Sequence, residues 1–233
     1  ADCGALTAVD IPAGVEQIGK MAFAGSGLVS PVVPENVTSI GSYAFWGCAH
    51  LTGIRLPENL TVIPEGLLQQ TSLNEFTLGP AVTKIHGNAF KDCTYLTKIN
   101  GLDQVTEIER YAFNNCYNLE EVTFSPDLEE IGNEAFENCL KLGDITIPAS
   151  VIYIGNLAFN NCGAMTAITV EDNNTSYKSI DGILYTADGL CAVVCPAGHS
   201  PEVTIADGVA TIGASCFEMN ANLTRCDAAG FGN

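Results

Sequence analysis

The stretch Leu142-Gly143-Asp144-Ile145-Thr146-Ile147-Pro148-Ala149-Ser150-Val151-Ile152-Tyr153-Ile154-Gly155-Asn156-Leu157-Ala158-Phe159-Asn160-Asn161-Cys162 decides the architecture, because it is one copy of a unit that recurs along the whole chain. Written as a pattern it reads L-x-x-I-x-I-P-x-x-V-x-x-I-G-x-x-A-F-x-x-C. The Ala-Phe dipeptide returns at Ala22-Phe23, Ala44-Phe45, Ala89-Phe90, Ala112-Phe113 and Ala135-Phe136, with Leu67-Leu68 standing in the one long gap. Five residues before each ring stands an isoleucine: Ile18, Ile40, Ile63, Ile85, Ile108, Ile131 and Ile154, then Ile212 before Cys216-Phe217. A leucine-type anchor follows each aromatic, from Leu28 and Leu51 to Met165 and Leu223. A fixed period of about 23 residues is the signature of a repeat architecture.

The unit has a physical reading. In L-x-x-I-x-I the second half alternates apolar and polar, as a strand with one buried face does. Pro12, Pro34, Pro57 and Pro148 follow such strands and end them, because proline has no N–H for a ladder. Glycine after the isoleucine (Gly19, Gly41, Gly132, Gly155, Gly213) suits a tight corner. The x-x-A-F-x-x-C segment has the spacing of a single helical turn that drops its ring inward. One unit cannot bury its apolar side alone, but stacked copies can. The expectation is therefore a right-handed solenoid over residues 1–233, a single domain. Its L-x-x-I-x-I strands would line up as one parallel sheet, with a short helical turn in every unit.

Composition narrows the function. The 233 residues carry 27 Asp+Glu against 9 Lys+Arg, a formal charge of −18. Polyanions are bound through clustered cations that release counterions, so nucleic acid is excluded as a partner. No apolar run approaches the length of a membrane span, which excludes insertion into a bilayer. The first residues lack the basic and apolar regions of a signal peptide.

The repeated I-P-x-x-V-x-x-I-G-x-x-A-F-x-x-C resembles the BspA-like leucine-rich repeats of bacterial and protist surface proteins, over residues 1–228. The long interval between Met165 and Leu223 fits the same family, in which similar hairpins carrying a G-x-L-Y core interrupt the repeats. It holds Tyr177 to Tyr185 around Asp181-Gly182, then Ala187-Asp188-Gly189, then Leu190 to Cys195. An Asp-Gly turn between two β-rich runs is a hairpin signal, and a hairpin insertion is expected over about 170–202. The resemblance implies a cell-surface or secreted protein that adheres to host, matrix or cell-surface molecules. The chain opens at the rung of Cys3 and stops after Leu223 to Ala228 without a polar cap. That suggests a piece of a longer array, capable of end-to-end self-association.

The ten cysteines first suggest disulfides. The register supplies another account. Cys3, Cys48, Cys93, Cys116, Cys139 and Cys162 share one position of the unit, where Ser26, Thr71 and Asn220 also stand. A small side chain packing against the turn explains all of them, and reduced thiols are expected. Chemistry-bearing motifs are otherwise lacking. Cys191-x3-Cys195-x3-His199 matches no common zinc spacing. Gly14 to Met21 nearly spells a phosphate-binding loop but has Met21 where a Ser or Thr must hold magnesium. Asp172-Asn173-Asn174 lacks the calcium-loop spacing. His50, His86 and His199 form no arrangement with a nucleophile and an orienting group. No enzyme activity, cofactor or metal is expected.

Binding is the function that remains. The residues flanking each inward strand isoleucine face outward, and they give a polar, mildly acidic stripe bearing Arg55, Glu75, Lys98, Glu121 and Asp144. Trp46 occupies a place that is polar in most other units (Gln69, Lys91, Asn114, Glu137, Asn160), and Tyr43 lies three residues earlier on the same turn. Exposed Trp/Tyr pairs are typical interface anchors. The sequence thus predicts a non-enzymatic module that binds a protein (a host or extracellular-matrix protein) or a cell-surface glycan, using Tyr43, Trp46 and the strand face. A structural spacer with no ligand of its own is the rival reading.

Overall fold

The computed structural model describes residues 3–228. They wind into about nine coils of about 23 residues, stacked through parallel strands. Each coil has three walls: a leucine wall built from L-x-x-I-x-I, an isoleucine wall built from V-x-x-I, and a turn wall built from x-x-A-F-x-x-C.

The isoleucine wall holds the longest sheet. Val62–Ile63, Lys84–Ile85, Glu107–Ile108, Glu130–Ile131 and Tyr153–Ile154 pair in parallel, and Gln17–Ile18 pairs with Ser39–Ile40. Isoleucine meets isoleucine in every one of these pairs, so the buried side chains form a file. This corrects the expectation of a single sheet on L-x-x-I-x-I. That leucine wall is broken into pairs: Glu75–Thr77 with Lys98–Asn100, Ile145–Ile147 with Ile168–Val170, and Glu202–Ile205 with Arg225–Ala228. Isolated bridges join Val32 to Arg55 and Lys98 to Glu121.

The helical turn is overturned outright, because the described residues contain no helix. Each turn wall instead carries two residues in the left-handed region. In the Ile108 coil they are Tyr111 (φ 60) and Asn115 (φ 62); in the Ile131 coil, Glu134 (φ 55) and Asn138 (φ 61). Two left-handed residues four apart cannot belong to a right-handed helix. Their conformation is held by backbone bonds between coils. The amides of Tyr111, Phe113 and Asn115 donate to the carbonyls of Asn133, Ala135 and Glu137 in the next coil at 2.9, 2.8 and 2.9 Å. The intervening amides of Ala112, Asn114 and Cys116 donate back to Glu109, Tyr111 and Phe113 at 3.3, 3.2 and 3.1 Å. Every amide of the segment therefore has a partner. A side-chain ladder runs beside it: Asn115 Nδ2 donates to Asp92 Oδ1, Asn138 Nδ2 to Asn115 Oδ1, and Asn161 Nδ2 to Asn138 Oδ1, all within 2.7–2.8 Å.

The core sits between the walls. Phe90, Phe113, Phe136 and Phe159 are fully buried and form one file, with centroids 5.1, 5.1 and 5.6 Å apart and rings nearly parallel. Phe23 stacks on Phe45 at 5.3 Å, and buried Leu68 fills the gap. The buried ladder thiols do more than fill space. Cys116, Cys139 and Cys162 direct Sγ–H at the carbonyls of Phe90, Phe113 and Phe136 in the preceding coil, at 3.2, 3.3 and 3.2 Å. Each of the ten cysteines stands unpaired.

At the insertion, Tyr177–Ile180 and Ile183–Thr186 form an antiparallel hairpin around Asp181 (φ 51) and Gly182 (φ 80), as a mirror-image turn requires. The third strand, Cys191–Val194, pairs antiparallel with the hairpin and parallel with Thr211–Ile212. Through that parallel pairing it also abuts the isoleucine wall. Ile212, alone of the eight repeat isoleucines, is exposed.

Candidate functional site

The strand-face residues do project outward, but most of their charge is spent between coils. Lys98 and Glu121, in register on neighbouring coils, form an ion pair at 2.5 Å. The hydrogen bond between them holds the ammonium above its ordinary pKa and the carboxyl below its own. Arg55 lies 3.4 Å from Glu35, whose other oxygen accepts the Glu58 amide at 2.9 Å. Asp144 accepts the amides of Thr166 and Ala167 at 2.7 and 2.9 Å and the Thr166 hydroxyl at 3.0 Å. Burial pushes its carboxyl up, yet those donors outweigh it and leave the pKa below the usual range. Glu75 alone among the five has no ion-pair or hydrogen-bond partner for its side chain among the described residues, and it borders a groove of about 440 Å³ together with Arg55. Of the three acidic residues of the stripe, Glu121 is paired with a cation and Asp144 is held by neutral donors, which leaves Glu75 as the free carboxylate among the described residues.

Tyr43 and Trp46 have different fates. Tyr43 is the left-handed residue of its coil (φ 60); its hydroxyl donates to Glu65 at 3.1 Å, and its ring lies flat over Gly66, where any Cβ would collide with it. Burial first, then that bond to Glu65, pushes the phenol above its ordinary pKa. Trp46 is 37% exposed, and its indole N–H has no partner among the described residues. All the ring–ring pairs there are between phenylalanines, so the two side chains do not stack on each other.

Sequence reasoning missed further exposed apolar side chains. Tyr95, Tyr117 and Leu140 are exposed on three consecutive coils, in the stretch between the turn wall and the leucine wall. The signal was available: the place held by Tyr117 and Leu140 is Ala49 and Gly163 in other coils. It also missed that His86 Nδ1 lies 2.7 Å from Glu109 Oε1, whose partner oxygen accepts the Gly87 amide at 2.7 Å. A histidine–carboxylate pair orients an imidazole, but its hydrogen bonds reach no nucleophile among the described residues. Burial pushes the Cys93 thiol up to about 11 and Cys162 to about 12, and raises Cys116 and Cys139 strongly. Such thiols are poor nucleophiles at neutral pH. Among the described residues no group of three or more His, Cys, Asp or Glu is arranged to hold a metal ion, and no helix is long and apolar enough to cross a membrane.

The family model described as "BspA type Leucine rich repeat region" matches six copies over residues 1–116 and 83–181. The chain belongs to the BspA-type leucine-rich repeat family. Comparison with curated proteins finds no match. Among solved structures it is similar to a leucine-rich repeat protein from Eubacterium ventriosum, at 26% identity and a TM-score of 0.69, over 76% of this chain and 48% of that one. It is also similar to a leucine-rich cell surface protein from Faecalibacterium prausnitzii, at 27% identity and a TM-score of 0.61, over 91% and 64%. The pneumococcal vaccine antigen PcpA shares the fold at 19% identity and a TM-score of 0.58, over 92% and 50%. This BspA-type chain therefore spans between about half and two thirds of the length of these structures.

Proposed function

We propose that this chain is a non-enzymatic binding module of a cell-surface or secreted protein, engaging a protein or a cell-surface glycan through the outer surface of the solenoid. The observation that carries the reading is Trp46: a large ring more than a third exposed, its indole N–H without a partner among the described residues, at a place that is polar in most other coils. A tryptophan ring is among the strongest anchors that a protein surface can offer a partner. The cell-surface protein among the structural relatives supports the location. A specific observation favours the spacer reading instead. The two cations of the leucine-wall stripe, Arg55 and Lys98, are taken up by Glu35 and Glu121, and Asp144 by amides of the next coil, which leaves few of its polar groups free for a partner.

The test is a binding screen against extracellular-matrix proteins and glycans, repeated with Trp46→Ala. A binding module using this residue loses at least tenfold in affinity for its partner on the substitution, while its melting temperature stays within a degree or two. A screen without any partner, under conditions where the protein is folded, supports the spacer.

A further inference from the structure

We infer that the groove between the coils of Ile54 and Phe76 is a binding site for a neutral sugar residue of a glycan. The inference rests on the binding-module reading and deepens it.

The groove is a place where the parallel ladder lapses. Arg55 is bridged to Val32 on one side, and Glu75–Thr77 is paired with Lys98–Asn100 on the other. Among the described residues no backbone hydrogen bond runs from Ile54 or Leu56 to the next coil, and no side chain bonds their amides or carbonyls. Two amides and two carbonyls of half-buried residues thus look into a space of about 440 Å³, within the range of small-molecule sites. Backbone polar groups in such a place need partners.

The surroundings select among ligands. The two coils are held at ordinary spacing at both ends of the groove: the Ser72 amide donates to the Leu51 carbonyl at 3.0 Å, and a Cβ on Gly79 would lie 3.6 Å from the Glu58 Cα. A further β-strand would need room for two strand spacings, and these closures deny it. A ligand has to enter from the outer side and be about one ring wide. Glu58 and Glu75 offer carboxylates at the rim, whereas the Arg55 guanidinium already faces Glu35. In a chain of net charge −18 this repels anions. Half-buried Ile54 and Leu56 with buried Phe76 and Leu78 give an apolar floor. A neutral sugar matches all of it. Each hydroxyl donates to a carboxylate or carbonyl while accepting from an amide, and its C–H face lies on the floor.

The experiment uses the whole chain, ¹⁵N-labelled, with an array of neutral, sialylated and sulfated oligosaccharides followed by NMR titration of the neutral hits. The expected result is binding of neutral glycans with shifts centred on the amides of Ile54, Leu56 and Thr77, weakened about tenfold or more by Glu75→Gln. Binding confined to anionic glycans, shifts centred elsewhere, or no glycan binding at all overturns the inference. If a protein partner is then captured in a Trp46-dependent manner, the binding-module reading stands and only the sugar site falls.

Discussion

Cys116 illustrates what one side chain contributes here. Its amide closes a turn on Phe113, and its thiol reaches the carbonyl of Phe90 one coil away, at 3.2 Å. The file of such cysteines, like the files of isoleucine and phenylalanine, was legible because the same residue returns at the same phase. The first left-handed residue of most turns was not legible. Met21, Tyr43, Asn88, Tyr111, Glu134, Leu157 and Ser215 share that conformation without sharing a side-chain type. Bonds to the neighbouring coil impose it against a local cost of about 1–2 kcal/mol. Thiol reactivity should divide accordingly. An alkylating reagent at pH 8 should label exposed Cys3 and Cys226 rapidly, while Cys93, Cys116, Cys139 and Cys162 react only on unfolding; mass spectrometry after a timed pulse checks it. Stability should respond to alkali with a defined sign. The folded thiols have raised pKa values, so their contribution is complete below the ordinary thiol value of about 8.5. It declines as the pH rises through about 11 for Cys93 and about 12 for Cys162, because the unfolded chain releases protons first. Urea midpoints that stay constant from pH 8 to pH 11 would contradict this.

At the scale of elements, the three walls were read with unequal success. Period-two alternation marked the leucine wall, yet the longest sheet lies on V-x-x-I, whose spacing of three conceals a strand of only two residues. The Ala-Phe segment has apolar spacing that a helix would share, and only backbone torsions separate the alternatives. The corner glycines were recognised, but for a partial reason. Gly132 is needed because the backbone of Glu109 and Arg110 in the previous coil occupies the space of a Cβ, and backbone cannot swing aside as a side chain can. Gly132→Ala should therefore cost about 1–3 kcal/mol or more. At Gly143 the nearest atom to an added Cβ is the Glu120 carbonyl oxygen at 3.7 Å, an ordinary contact, so Gly143→Ala should be close to neutral. Denaturant titration of the two variants side by side checks the difference.

For the whole molecule, the formal charge of −18 outweighs any single ion pair. The pair Lys98–Glu121 is exposed and Lys84–Glu107 partly so, and solvent screens such pairs to a small net contribution. Self-repulsion should dominate, so raising salt from about 10 mM to about 150 mM, which shortens the screening length from about 30 Å to about 8 Å, should raise the melting temperature; calorimetry showing a fall would mean that the pairs matter more. The candidate site was less legible than the fold. Trp46 could be found because it breaks a polar column, but a lapse in a ladder leaves no mark on side-chain identity. The wholly committed amides of the turn wall carry one more consequence. Adding a single residue between Ala135 and Cys139 would slide every donor past its acceptor toward the coils on both sides. Chains of this kind can lengthen by entire windings, and a fraction of a winding within that wall is closed to them.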